Sequence, residues 1–278
     1  METFFSFLAK RVDDCSSLLC VGLDPHPSDL PAATADAART FCLRLVKATA
    51  AYAAAFKPNA AFFELYGPEG WAALRDVIAA VQAESDRLGS MIPVILDAKR
   101  GDIASTAEAY AKSAFENLGV HAITLSPYLG RDSIDPFLAY KEKGVFLLCK
   151  TSNPGAADLQ DLPVLVGADA RPPIPLHLHI AHLAQTWNTG NNIGLVVGAT
   201  QPEALTRIRS AAPDLWFLVP GVGAQGGDLE TALASGLRAD GKGMLINVSR
   251  GISRAENQAR AAAEIRDEII NFQYTLKH

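Results

Sequence analysis

Acidic and basic side chains alternate within residues 97–103, at the end of the apolar run 91–96. The run predicts a buried β-strand. Because side chains alternate between the faces of a strand, we expect Asp97 and Lys99 to project together, with Asp102 beyond a turn. Buried charges are costly unless paired, and paired charges in a concave site favour acid–base or electrostatic catalysis. A salt-bridged strand end or a solvated turn would show the same pattern.

Eight apolar runs predict the strands that position these residues, and amphipathic segments between them predict helices. The strands are expected at residues 18–23, 53–56, 91–96, 122–125, 145–149, 193–198, 215–219 and 244–248. The helices are expected at residues 34–50, 70–88, 106–118, 176–187, 202–211, 229–237 and 256–274. This alternation predicts an α/β protein, a (β/α)8 TIM barrel with a short N-terminal helical extension, in one domain spanning residues 1–278.

Polar or glycine-rich clusters follow the carboxyl ends of nearly all predicted strands. Asp24 follows the first strand, Lys57 the second, Ser152 the fifth and Arg250 the eighth. Active sites of this fold lie at that end of the barrel, so we expect these residues to meet in one site. For Lys57, extension of its amine into solvent is the alternative interpretation.

A glycine-rich segment at residues 221–226 matches the G-x-G-x-x-G pattern of dinucleotide-binding proteins. Only about fifty residues follow it, too few for the rest of a dinucleotide-binding sheet. In a barrel, the loops after strands seven and eight commonly bind phosphate through backbone N–H groups, and Arg250 would add a bidentate contact. Phosphate binding is therefore favoured, with a nicotinamide cofactor or turn glycines without a ligand as the alternatives.

Three histidines, His177, His179 and His182, resemble a metal-binding cluster. On a helix, only His179 and His182 share a face, and a structural metal needs more converging ligands. A solvated helix without metal is the favoured interpretation.

The proline-rich segment at residues 153–175 is longer than most loops, which is typical of a lid or functional insertion, although a plain surface loop is equally compatible.

Composition narrows the possible partners. The chain of 278 residues is 49% hydrophobic with a formal net charge of −5 and no Lys/Arg block, which argues against a nucleic-acid partner. The apolar N-terminal stretch is too short for a signal peptide, and no run approaches the ~20 residues of a membrane span, so we expect no membrane partner. Four scattered cysteines predict free, buried thiols and a cytoplasmic protein; they are Cys15, Cys20, Cys42 and Cys149.

In combination, the motifs resemble those of the orotidine 5′-phosphate decarboxylase family. Asp97, Lys99, Asp102 and Thr106 fit its Asp-x-Lys-x-x-Asp-Ile-x-x-Thr signature. Five further segments match in order: Val21-Gly22-Leu23-Asp24-Pro25, Phe56-Lys57-Pro58-Asn59, Thr151-Ser152-Asn153-Pro154-Gly155, Pro220-Gly221-Val222-Gly223-Ala224-Gln225-Gly226-Gly227 and Ser249-Arg250-Gly251. The resemblance runs from about residue 4 to residue 263 and is to the longer branch of the family, whereas residues 155–175 follow no family pattern.

This resemblance implies a homodimer with composite active sites that converts orotidine 5′-phosphate to uridine 5′-phosphate and CO2, the last step of de novo UMP biosynthesis. No metal or organic cofactor is implied. Lys57, Asp97 and Lys99 would form an alternating charge network, completed by Asp102 and Thr106 from the partner subunit. The implied ligands are Asp24 for a ribose hydroxyl, Ser152 for the pyrimidine edge, and Gln225 and Arg250 for the phosphate.

Two alternative functions are compatible with a barrel of this kind. Mg²⁺-dependent sugar-phosphate decarboxylases and synthases of the same suprafamily have a similar Asp-x-Lys-x-x-Asp motif. Their second strand typically ends in an acidic residue that serves the metal, where this chain has Lys57. A non-catalytic phosphosugar-binding barrel is the second alternative, and the presence of all four charged residues argues against it.

Overall fold

The computed structural model describes residues 2–167, 172–223 and 226–275. Its parallel barrel strands, first to eighth, are Leu19–Leu23, Ala55–Pro58, Ile95–Arg100, Ala122–Leu125, Gly144–Lys150, Ile193–Val197, Trp216–Pro220 and Met244–Val248. The longer helices are Phe4–Cys15, Ala35–Thr49, Gly67–Leu88, Ala104–Lys112, Leu176–Trp187, Pro202–Ala211, Leu229–Gly236 and Gln258–Thr275. Shorter α-helical segments are Ala61–Glu64, Asp135–Leu138, Ala157–Gln160 and Arg250–Ser253. The predicted alternation of strands and helices is confirmed.

The sheet closes into a barrel. Its hydrogen-bonded order is second, first, eighth, seventh, sixth, fifth, fourth and third strand. Parallel bridges between Phe56 and Val94 and between Asn59 and Asp97 then join the second strand to the third. The (β/α)8 barrel is therefore confirmed. The first, sixth and eighth strands are buried along their whole length, which explains why their sequences are continuously apolar.

The N-terminal helical extension, Phe4–Cys15, covers the amino ends of the strands. Phe4 and Phe5 both meet Phe146 of the fifth strand edge to face, at centroid distances of 6.1 and 5.5 Å. Phe5 also stacks on Trp216 at the start of the seventh strand. The extension thus closes one end of the barrel with aromatic rings, and the functional cavity lies at the other end.

The helix after the third strand begins earlier than its sequence signal indicates. Ser105 and Glu108 fit a capping box, which predicts a first helical residue at Thr106. The helix instead begins at Ala104 without a side-chain cap, and it ends in a π-helical turn, Ser113–Asn117. The carboxylate of Asp102 accepts a hydrogen bond from the backbone N–H of Ile103 (2.8 Å), so the chain is already turned before it reaches Ser105.

A partly buried histidine near the amino ends of the strands makes stability depend on pH. The Nδ1 atom of His121 accepts a hydrogen bond from the backbone N–H of Val94 (3.1 Å), which requires a neutral ring. Burial, with a smaller effect from Lys143, lowers the pKa of His121 from 6.5 to about 4. The unfolded chain therefore binds the extra proton more readily. The stabilisation by neutral His121 is complete above pH 6.5 and is lost as the pH falls toward 4.

We expect His121→Asn, whose amide oxygen can replace Nδ1 as acceptor, to weaken this pH dependence. Between about pH 7 and about pH 4.5, the wild type should lose roughly 2 kcal/mol more unfolding free energy than the variant. Urea titrations at both pH values measure this difference. His182→Asn, at an exposed histidine, is the matched control and should follow the wild type. Equal losses in His121→Asn and wild type would contradict the assignment.

Candidate active site

A cavity of about 670 Å³ opens at the carboxyl ends of the barrel strands. Asp24, Lys57, Asp97, Lys99, Ser152 and Arg250, all singled out in the sequence, line it. Its floor is formed by Thr124, Leu148, Val196, Leu218 and Asn247. The prediction that the polar residues at these strand ends line one cavity is therefore confirmed.

Two lysines share one carboxylate inside this cavity. The ammonium of Lys57 lies 2.8 Å from Oδ2 of Asp97, and the ammonium of Lys99 lies 2.6 Å from Oδ1 of the same residue. The side chains of Lys57 and Asp97 are 5% and 11% exposed, whereas that of Lys99 is 50% exposed. Lys57 is therefore held within the barrel wall, and Lys99 is the more accessible ammonium.

Burial and pairing act in opposite directions on the proton affinities of this cluster. Burial disfavours ionised Asp97, but the charges of Lys57 and Lys99 outweigh it and hold the Asp97 pKa well below its usual range. Burial also disfavours the Lys57 ammonium, but the carboxylates of Asp24 and Asp97 outweigh it and raise the Lys57 pKa. Both residues are therefore ionised throughout the neutral pH range.

The third strand is bulged at the residues that carry these charges. Leu96 pairs with Ile123 and Arg100 pairs with Leu125, so four steps along the third strand match two along the fourth. Lys99 has a φ of +47°, a left-handed conformation that costs a non-glycine residue about 1–2 kcal/mol. Asp97 and Lys99 do meet in the cavity as expected, but through this bulge and not through regular strand alternation.

Thr124 of the fourth strand fills the gap that the bulge creates. Its hydroxyl accepts hydrogen bonds from the backbone N–H groups of Ala98 (3.0 Å) and Lys99 (2.9 Å), and it donates to Oδ1 of Asp97 (3.0 Å). Thr124 was not among the predicted site residues. The available signal was a hydroxyl in the middle of the otherwise apolar fourth strand.

Asp24 presents an open acceptor to the cavity. One of its carboxylate oxygens accepts a hydrogen bond from the hydroxyl of Ser249, while the other, Oδ1, is buried without a hydrogen-bond partner among the described residues. Gly22 permits the close approach of Ser249, because a Cβ at Gly22 would lie 1.9 Å from the serine Oγ. Ser249 belongs to a quoted family motif but was not among the predicted site residues. Asn247, whose Oδ1 also has no hydrogen-bond partner among the described residues, was not among them either. An acceptor without a donor in this position is suited to a ligand hydroxyl.

Asp102 and Thr106 lie apart from the other predicted residues. Within the described part of the chain, neither of them lines the cavity. Asp102 is half-buried and its carboxylate accepts a hydrogen bond from the N–H of Ile103, whereas Thr106 is exposed. One chain therefore brings together three of the four residues of the implied charge network, all except Asp102.

The glycine segment and Arg250 lie together at one side of the cavity. Gly221 and Val222 line it beside Arg250. Gly221, Gly223 and Gly226 have positive φ values of 101°, 72° and 85°, which are backbone conformations that other residues adopt poorly. Arg250 is exposed and has no ion-pair partner in the described ranges. Gln225, the other predicted phosphate ligand, lies outside the described residues.

The proline-rich loop after the fifth strand is tied to the barrel by contacts with two buried side chains. Lys150, whose side chain is 1% exposed, lies 2.6 Å from Oδ1 of Asp161. The ring of His177 lies 3.2 Å from the same oxygen, and its Nδ1–H donates to the Gln160 carbonyl (2.9 Å). The expectation of a solvated histidine helix is thus wrong for His177, which is buried by this loop. A lid function for the loop stays a prediction.

Other expectations concern metals, membranes and thiols. Over residues 2–167, 172–223 and 226–275, no group of three or more His, Cys, Asp or Glu side chains is placed to hold a metal ion. Within the same ranges, no helix is both long and apolar enough to cross a bilayer. The four cysteines are free and buried, as predicted.

Fold and site together define a β/α-barrel enzyme whose cavity, at the carboxyl ends of the strands, pairs two ammonium groups with one carboxylate. The family model described as "Orotidine 5′-phosphate decarboxylase / HUMPS family" matches residues 17–265. An orotidine 5′-phosphate decarboxylase of Roseiflexus sp. (strain RS-1) is 49% identical over 254 residues, covering 90% of this chain and 88% of the relative. The chain belongs to the orotidine 5′-phosphate decarboxylase / HUMPS family.

Solved structures agree with this assignment. The OMP decarboxylase of Leishmania donovani is 54% identical, with a TM-score of 0.86 over 98% of this chain and 99% of that one. The UMP synthase of Leishmania donovani is 55% identical, with a TM-score of 0.88 over 99% of this chain. This chain spans only 57% of that longer protein.

Proposed function

We propose that this chain decarboxylates orotidine 5′-phosphate to uridine 5′-phosphate and CO2 as the last step of de novo UMP biosynthesis, without a metal or organic cofactor. The observation that carries the proposal is the cluster of Lys57, Asp97 and Lys99 in the barrel cavity. The chain would act as one barrel domain in the cytoplasm.

The two ends of the cavity suit the two ends of the nucleotide. Arg250, beside the glycine segment, offers a guanidinium to the phosphate, with Gln225 as the further proposed ligand. The unpartnered Oδ1 of Asp24 accepts a ribose hydroxyl. Ser152, which also lines the cavity, is the proposed contact of the pyrimidine edge. Phosphate binding far from the reacting carbon then contributes remote binding energy to orientation and loop closure.

Lys99 meets the main chemical demand of the reaction. Loss of CO2 from C6 of the pyrimidine leaves a carbanion that the ring delocalises poorly. An ammonium held where that charge develops stabilises the transition state more than the ground state, and it can then donate its proton to C6. Asp97 holds this ammonium in place through their 2.6 Å ion pair, and Lys57 holds the other oxygen of the same carboxylate.

The position of Asp102 supports a homodimer with composite sites. Asp102 lies outside its own cavity, and exposed apolar side chains lie at the following residue and on the loop after the neighbouring fourth strand. Ile103 is 52% exposed, Tyr128 79% and Leu129 46%. A two-fold contact through this surface would cover the apolar side chains and bring Asp102 and Thr106 into the partner's cavity, with two equivalent sites by symmetry.

The Mg²⁺-dependent alternative conflicts with the residues of the second strand. The ammonium of Lys57 lies 2.8 Å from Asp97. A fixed cation at that distance from the carboxylate repels a divalent metal and occupies one of the oxygens that the metal would need. A non-catalytic phosphosugar-binding barrel is less well supported, because all four residues of the implied charge network are present.

A single assay tests the proposal. We expect purified protein to consume orotidine 5′-phosphate, which is measured as a decrease in the ultraviolet absorbance of the substrate. We also expect full activity after exhaustive EDTA treatment. The reason is that ammonium groups provide the charge stabilisation that a metal would otherwise supply. Loss of activity on chelation, restored by Mg²⁺, would move the assignment to the metal-dependent relatives. Binding of the nucleotide without turnover would favour the non-catalytic alternative.

A further inference from the structure

We infer that Thr124 is a positioning residue, whose hydroxyl fixes the bulge of the third strand and thereby aims Asp97 and Lys99. The expected effect on kcat rests on the proposed function. The hydrogen bonds from which the role is inferred do not depend on that function.

The hydroxyl of Thr124 is fully used by the protein. A hydroxyl has one proton to donate and two lone pairs that accept. In Thr124 the proton is directed to Oδ1 of Asp97, and the lone pairs receive the N–H groups of Ala98 and Lys99. Nothing is left for a ligand, so Thr124 acts through its neighbours although it lines the cavity floor.

These contacts replace the backbone hydrogen bonds between the third and fourth strands that the bulge interrupts. Between the pairings of Leu96 and Arg100, the third strand has two more residues than the fourth, so the N–H groups of Ala98 and Lys99 lose their regular partners. A side chain that is 1% exposed takes over both of them. Buried N–H groups are almost always paired, and the left-handed backbone at Lys99 persists only if its surroundings hold it.

The same hydroxyl links this backbone to the charge network. Oδ1 of Asp97 accepts hydrogen bonds from both Thr124 and the ammonium of Lys99. The carboxylate is thus held from one side by Thr124 and from the other by Lys57 through Oδ2. Without the hydroxyl, the carboxylate can rotate and the residue 97–99 backbone can relax, so the Lys99 ammonium shifts from its place.

Thr124→Val and Thr124→Ser separate the hydroxyl from the side-chain volume. Valine keeps the volume and removes all three hydrogen bonds, whereas serine keeps the hydroxyl and removes a methyl group. We expect Thr124→Val to lower kcat by roughly 10- to 100-fold with KM changed less than about threefold, because small misplacements of a reacting group have large effects on rate. Thr124→Ser should stay within about threefold of the wild-type kcat by the same reasoning.

Thr49→Val is the matched control. Thr49 is also fully buried, but its hydroxyl donates to the Leu45 carbonyl of its own helix, away from the cavity. This variant should keep the wild-type kcat, and circular dichroism establishes that each variant is folded. Should Thr124→Val fail to fold, Thr124→Ser decides alone, since a large kcat loss with the hydroxyl retained would overturn the inference.

Crystal structures of the two Thr124 variants test the geometry independently of the reaction. In Thr124→Val we expect the Lys99–Asp97 ion pair to open or the Lys99 φ to leave the left-handed region, and in Thr124→Ser both features should persist. If the wild type does not decarboxylate orotidine 5′-phosphate, the proposed function is wrong, and these structures still decide the role of Thr124. An unchanged bulge in Thr124→Val, or a folded Thr124→Val with wild-type kcat, would overturn it.

Discussion

Replacing Lys99 with alanine is expected to abolish decarboxylation while the barrel stays folded. Its side chain is 50% exposed and its ammonium contacts Asp97, so the substitution empties little of the core. The lost charge acts mainly in the transition state, where it both stabilises the carbanion and supplies the proton. General acid catalysis alone is typically worth about 10²–10⁴-fold, so kcat should fall by at least that factor.

Affinity for the product shows whether the Lys99→Ala substitution removes the catalytic step or disrupts the binding site. Uridine 5′-phosphate binding, measured by calorimetry, should weaken far less than kcat falls, because Arg250 and Asp24 are unchanged. Lys141→Ala, at an exposed lysine outside the cavity, controls for removal of a surface charge and should retain full activity. A Lys99→Ala enzyme with more than about a tenth of wild-type kcat would exclude Lys99 as the proton donor.

The fold was predictable because its strands are chemically simple. Parallel strands covered on both faces must be apolar throughout, and the runs at 193–198 and 244–248 show this directly. Asp24, Lys57 and Arg250 were predictable for a related reason. They interrupt or end apolar runs at the carboxyl ends of strands, where this fold places its active sites.

Other parts of the site depend on tertiary contacts that no local pattern encodes. The third-strand bulge arises from pairing with the fourth strand, and Thr124 acquires its three hydrogen bonds only because of that mismatch. His177 was expected to be solvated because its helix pattern carries no sign of Asp161, which contacts it from the preceding loop. Ser105 had a strong local capping signal, but the turn set by Asp102 took precedence.

Mixing two inactive variants is expected to restore about a quarter of wild-type activity. Lys99 and Asp102 belong to one signature, yet only Lys99 lines its own chain's cavity. If Asp102 completes the partner's site, a heterodimer of Lys99→Ala and Asp102→Ala subunits has one site with both lesions and one site with neither. Random reassortment of an equal mixture gives about half heterodimers, and half of their sites are intact. Activity is measured after subunit exchange under mild denaturation.

The control mixture pairs Lys99→Ala with Asp97→Ala. Both residues line the same cavity and contact each other at 2.6 Å, so every site in that heterodimer lacks one of them and no activity should return. Recovery in the first mixture but not in the second requires that Asp102 act across the two-fold interface. Exchange itself is verified with differently tagged subunits. If exchange is complete and the first mixture stays inactive, Asp102 serves its own chain or has no part in the reaction, and the composite-site proposal is wrong.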